Sequence, residues 1–132
     1  MGQAAYEASL SYAKNREMFG QNLSDFQATQ FKLADMAVSL DAARLLAHRA
    51  AWLKDNGKPN QYETSVAKLQ ASEAAVHAAN ECMKIFGSYG FSTEYPAERL
   101  YRDAKSLQIV EGTSNVQKLI IAGIACGHNA NR

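Results

Sequence analysis

The residues of this chain best suited to chemistry lie in one short stretch, Ile109-Val110-Glu111-Gly112-Thr113-Ser114-Asn115, just ahead of the apolar run Val116 to Ile124. A single carboxylate sits at the mouth of a helix, between two β-branched apolar residues and a glycine. Gly112 has no side chain, so another molecule can come close to the backbone beside Glu111. Desolvation by apolar neighbours disfavours the charged form of a carboxyl group and raises its pKa, which suits a general base near neutral pH. Read locally, the same residues also describe a solvated loop acid and an ordinary turn glycine. The residues Thr113, Ser114 and Asn115 are N-cap types, and capping the following helix would be worth about 1 kcal/mol.

The elements that must position this turn read as helices almost throughout. Two prolines in 132 residues leave few breakers, and no strand-like alternation persists. A first helix is expected from about Gly2 to Met18, without an obvious cap at its start. A turn from Phe19 to Leu23 then leads into Ser24-Asp25-Phe26-Gln27, which has the form of a capping box. The second helix should run to about Asn56 with a buried stripe of Leu33, Met36, Ala37, Leu40, Ala43, Ala47 and Ala50. Asn56-Gly57 and Pro59 stop it. Asn60 and Glu63 repeat the capping pattern and open a third helix to about Phe86, with a stripe of Leu69, Ser72, Val76, Ala79, Met83 and Phe86. At ~1.5 Å per residue each long helix would span roughly 40 to 45 Å, and the short turn between them makes them antiparallel. Gly87 and Gly90 break the pattern. Pro96 begins a fourth helix reaching about Leu107, where Arg99 and Asp103 are spaced as an i,i+4 pair. A last helix runs from about Ser114 to Ala125 and is closed by Gly127. His128 to Arg132 reads as a polar, frayed end. The fold class is all-α: an up-and-down bundle of two long antiparallel helices with shorter ones, forming one domain over 1–132.

Composition excludes several function classes. The chain is 47% hydrophobic and 20% charged, ordinary for a soluble domain, and its net charge of +1 with no basic stripe argues against nucleic acid. Cys82 and Cys126 fit no metal or redox spacing and read as reduced, buried packing residues of a cytosol-like compartment. His48, His77 and His128 are scattered, so no metal site is expected. No apolar run is long enough to span a bilayer, and no signal-peptide pattern opens the chain.

Taken together, Glu111-Gly112-Thr113-Ser114, the preceding Arg102-Asp103-Ala104-Lys105, and Ile85-Phe86-Gly87-Ser88-Tyr89-Gly90-Phe91 resemble the C-terminal helical domain of acyl-CoA dehydrogenases. Asn15-Arg16-Glu17-Met18-Phe19-Gly20 with Phe26-Gln27 is similar to a flavin-contacting segment of the same family. The similarity covers nearly the whole chain, with the segments in the family's order and spacing. In that family a glutamate removes the α-proton of an acyl thioester while the β-hydrogen leaves as hydride to flavin. The resemblance implies that Glu111 is this base, that Gly112 lies against the thioester, and that Thr113, Ser114 and Asn115 line the flavin, with Asn115 standing where glutamine is usual.

It also implies FAD as cofactor, with Arg16 on the pyrophosphate across a subunit interface, Met18 and Phe19 near the adenosine end, and Phe26 and Gln27 in contact. Without the resemblance, Arg16 is a solvated cation near a helix C-terminus, and Gln27 belongs to the capping box. Lys84, Ile85, Phe86, Gly87 and Ser88 match the second flavin-contacting segment. Lys84 departs from a frequent glutamine there, and Ser88-Tyr89 from smaller residues. Arg102 and Asp103 would pair to hold the turn before Glu111.

The family's N-terminal helical and central β-domains have no counterpart in the sequence, so the chain reads as an excised domain or truncated product, weak in flavin binding and inactive alone. The partners implied are an acyl-CoA, a homo-oligomer (dimer or tetramer) and an electron-transfer flavoprotein. The compartment implied is the cytoplasm, or the mitochondrial matrix in a eukaryote. Two alternatives are a non-catalytic helical oligomerisation module derived from the family and part of an acyl-CoA oxidase.

Overall fold

The structure, a computed structural model, describes residues 1–127; the frayed end expected at His128 to Arg132 lies outside them. Five α-helices run in order as α1 (Gly2–Asn15), α2 (Gln27–Asp55), α3 (Gln61–Phe86), α4 (Ala97–Ser106) and α5 (Ser114–Ala125). A two-residue hairpin, β1 (Glu17–Met18) with β2 (Gln21–Asn22), follows α1, and short 3-10 turns occupy Leu23–Asp25 and Gly87–Phe91. The all-α expectation holds.

The central element is α3, which packs against α1, α2, α4 and α5. Its sequence explains this. Ala67, Ser72, Ala74, Ala75, Ala78, Ala79, Cys82, Ile85 and Phe86 are all buried, a far wider set than one stripe, as befits a helix covered on several sides. Small side chains let its neighbours come close. A Cβ placed on Gly2 of α1 would stand 3.1 Å from the Cα of Ala75, so the two backbones nearly touch. Met36 and Leu33 of α2, and Ala97 and Ala104 of α4, complete the core.

Several local expectations are corrected. Helix α1 stops at Asn15 rather than Met18, because Arg16 turns extended (φ −88°, ψ 117°) into the hairpin. The first box is displaced: Asp25 accepts from the backbone N–H of Asn22 at 3.2 Å, and Ser24 to Gln27 form none. At α3 there is no box either, since Asn60 donates to the Ala50 carbonyl and Glu63 pairs with Arg49 at 3.0 Å. Ala47 is exposed, leaving Leu33, Met36, Ala43 and Ala50 as the buried residues of the α2 stripe. Of the two cysteines, Cys82 is buried as expected but Cys126 is exposed.

Candidate active site

Glu111 stands at the apex of a tight loop between α4 and α5. The N–H groups of Ile109 and Val110 still bond to the Ser106 carbonyl, at 2.9 and 3.0 Å, so the chain leaves α4 wound as a helix. It is then reversed by two successive left-handed residues, Glu111 (φ +56°) and Gly112 (φ +88°). The Ser114 N–H closes the loop on the Gln108 carbonyl at 3.0 Å. Glycine is favoured at 112 by its φ, and a Cβ there would lie 2.6 Å from Gln117 Nε2, so the glutamine side chain would have to shift. For Glu111 the left-handed backbone costs about 1–2 kcal/mol.

The loop is held from outside. Lys68 of α3 donates its ammonium to the carbonyls of Leu107, at 2.9 Å, and Gly112. Glu73 of α3 accepts from Gln108 Nε2 and Ser114 Oγ, both at 2.7 Å. Gln117 of α5, itself buried, points its Nε2 at the carbonyls of Glu111 and Gly112, at 3.5 and 3.4 Å. Thr113 caps α5 by accepting from the Val116 N–H at 3.3 Å, the capping role its type suggested. Arg102 and Asp103 do not hold this loop. Arg102 pairs with Glu98 at 3.0 Å, and the expected Arg99–Asp103 pair is not among the ion pairs of the described residues.

Glu111 is exposed, and so are Ile109 and Val110. Among the described residues, the apolar side chains of Ile109 and Val110 therefore do not cover the carboxylate. The Glu111 carboxylate accepts no hydrogen bond from the described residues, although the backbone on either side is tied down. Ser114 is half-buried by its bond to Glu73, while Asn115 is exposed.

The remaining candidates gather elsewhere. Phe19 and Gly20, at φ +52° and +79°, form the two-residue reversal of the β1–β2 hairpin, whose right-handed twist favours two positive φ values. Phe19 is thereby thrust into solvent, 91% exposed, beside an exposed Met18. The Leu23 N–H bonds the Arg16 carbonyl at 2.7 Å and folds the hairpin back on α1. The Arg16 guanidinium lies 5.5 Å from the centre of the Tyr89 ring. Both residues line a cleft of about 550 Å³ with Ser11, Tyr12, Asn15, Phe86 and Tyr95. Burial pushes the Tyr12 phenol above its ordinary value, against the opposing pull of Arg16.

Within the Lys84 to Ser88 segment the residues divide. Ile85 and Phe86 are core, with Phe86 stacked on Tyr12 at 4.1 Å and also lining the cleft. Lys84 is paired with Glu81 on its own helix. Gly87 ends α3 at φ +60° and, with Ser88, is exposed. Phe26 is the half-buried residue before α2, and Gln27 is exposed with no part in a cap.

The candidates thus form two groups at different levels of α3. The Glu111 loop rests on Lys68 and Glu73, whereas Arg16 and Tyr89 face the helix end at Phe86, about 20 Å further along its axis. Sequence reading missed Lys68, Glu73 and Gln117. Gln117 carried a signal, as a polar residue inside an apolar helix. Lys68 and Glu73 carried none, because their partners lie 35 or more residues away. The described residues contain no His, Cys, Asp or Glu cluster able to hold a metal ion, and none of their helices is long and apolar enough to cross a membrane.

Residues 1–125 match the family described as acyl-CoA dehydrogenase, C-terminal domain. The chain is 53% identical to a probable acyl-CoA dehydrogenase, YngJ, of Bacillus subtilis, over 92% of this chain and 32% of the relative. It is also 53% identical to the bovine mitochondrial short-chain specific acyl-CoA dehydrogenase, over 93% of this chain and 30% of that protein. Among solved structures, a glutaryl-coenzyme A dehydrogenase in complex with glutaryl-CoA superposes with a TM-score of 0.94 at 46% identity, over 99% of this chain and 34% of that one. The chain spans about a third of the length of the curated relatives it matches.

Proposed function

The chain belongs to the acyl-CoA dehydrogenase family, as its C-terminal domain, and from that premise we propose that it carries the base and part of the flavin-facing surface of an FAD-dependent enzyme that desaturates an acyl-CoA thioester. Glu111 is the base. The thioester carbonyl acidifies the α-carbon, so a carboxylate is strong enough if it is held in place. The observation that carries the reading is the Glu111 loop itself. Its backbone is strained and tied by α3 and α5, yet its carboxylate is exposed and unbonded within the described residues. Packing alone has no use for that combination, which favours this reading over a purely oligomerising module.

The residues present fit a flavin dinucleotide. Arg16 has no carboxylate within ion-pair distance among the described residues, and an arginine fork matches phosphate oxygens. Gly87 and Ser88 are exposed just before Tyr89, whose ring faces Arg16, and at the start of α5 the N–H groups of Thr113 and Asn115 have no partner among the described residues. Bound flavin supplies the acceptor for the β-hydride. Gly112 leaves room for the thioester beside the base. Lys84, already paired with Glu81, is the weakest of the phosphate candidates.

Two groups about 20 Å apart along α3 fit a homo-oligomer in which each copy gives Glu111 to one flavin site and Arg16 to another. Self-association is supported by an exposed apolar stripe on α2, where Phe31, Val38, Leu45 and Trp52 recur every seven residues. The partner this reading implies for re-oxidising the bound cofactor is an electron-transfer flavoprotein, by analogy with relatives.

The test is Glu111→Gln in the flavin-loaded protein that contains this domain. Exchange of the substrate α-proton should fall at least about 100-fold with flavin content unchanged. Undiminished exchange would overturn the base assignment.

A further inference from the structure

We propose that Lys68 and Glu73 of α3 are positioning residues that aim Glu111, a role that rests on the base assignment made above. The two side chains grip the loop at complementary points. Lys68 joins the carbonyls of Leu107 and Gly112, drawing together the start of the loop and the residue after the base. Glu73 takes one side chain from each flank, Gln108 and Ser114. Four hydrogen bonds therefore bracket residues 107–114, with Glu111 at the centre and its carboxylate left free.

The chemistry of the pair suits this task. A single ammonium can donate to two carbonyls at once, and Lys68 also places a cation at the carbonyl end of α4, where the helix dipole favours it. An ionised carboxylate accepts through both oxygens, as Glu73 does, and charge-assisted bonds are about twice as strong as neutral ones. Both residues are half-buried on the most buried helix of the molecule, so the loop is referenced to the rigid core rather than to its own flexible ends. This anchoring also offsets the left-handed backbone of Glu111. No other described side chain spans the loop as Lys68 and Glu73 do; Gln117 reaches only the two residues at its apex.

The experiment is steady-state kinetics of Lys68→Met, Lys68→Arg, Glu73→Gln and Glu111→Gln in the flavin-loaded protein, using acyl-CoA with hydrogen or deuterium at the α-carbon. A base displaced by even 1 Å can lose about 100-fold in rate. Lys68→Met should therefore lower kcat by roughly 10- to 100-fold, with KM for the thioester and flavin content unchanged, and should enlarge the α-deuterium isotope effect. Lys68→Arg, which keeps the donors, should recover most of kcat. Loss of folded protein alone would shrink the active fraction without moving the isotope effect. Should Lys68→Met fail to hold flavin, Glu73→Gln is read by the same criteria. Wild-type kcat and isotope effect in the variant that is read, beside an inactive Glu111→Gln, would overturn the positioning role alone. Retained α-proton exchange in Glu111→Gln would overturn the base and its positioning together.

Discussion

Glu111 occupies a backbone conformation in which glycine would be free of strain, and it is followed by a glycine that is itself left-handed. Placing the larger residue first turns the loop so that its side chain projects from the surface while its carbonyl faces Gln117. A contrasting case is Cys82, fully buried in α3, whose thiol is pushed above the ordinary value of 9.0 chiefly by burial, with Ser9 bonding in the opposite sense. A raised folded-state pKa means that the neutral thiol survives in the folded protein at pH values where the unfolded chain has lost its proton. Its stabilising contribution is complete below the unfolded thiol value and is lost as pH rises towards the folded one. Denaturant midpoints should therefore decline from about pH 9 upward, and Cys82→Ala should flatten that decline. An equal slope in the variant would assign the loss to other groups, Tyr12 first, because burial raises that phenol too.

At the scale of elements, helix ends are set by whichever side chain finds a backbone partner. Thr113 does so for α5, bonding the Val116 N–H, while Asn60 and Phe26 do not for α3 and α2. Thr113→Ala should cost about 1 kcal/mol, read as a lower urea midpoint with an unchanged slope. The long helices α2 and α3 were legible because alanine runs and few breakers leave them no alternative, and Gly57 and Gly87 end them with positive φ. The end of α1 was not legible. Arg16, Glu17 and Met18 are all good helix formers, and the hairpin that removes them is imposed by the reversal at Phe19-Gly20. On α4 two ion pairs had the right spacing. The one that forms, Glu98–Arg102, places the acid nearer the N-terminus, the more favourable order. The turn at Glu111 between α4 and α5 was legible, but the residues that hold it were not. Lys68 and Glu73 reach across long stretches of chain, and no local period marks such a bond.

For the molecule as a whole, α3 works as a ruler. It fixes the Glu111 loop at one level and the Arg16–Tyr89 cleft about 20 Å away at another, with both groups open to whatever packs against the bundle. Under the proposed assembly each flavin site draws its base from one copy and its Arg16 contact from another. This separation has a consequence in genetics. An allele changed at Glu111 and an allele changed at Arg16 should complement one another when co-expressed, although each alone is null. In a mixed pair one site receives both intact residues and the other receives neither, so half the sites of the hybrid should work. Co-purified hybrids with no activity above either parent would mean that both residues serve the same site.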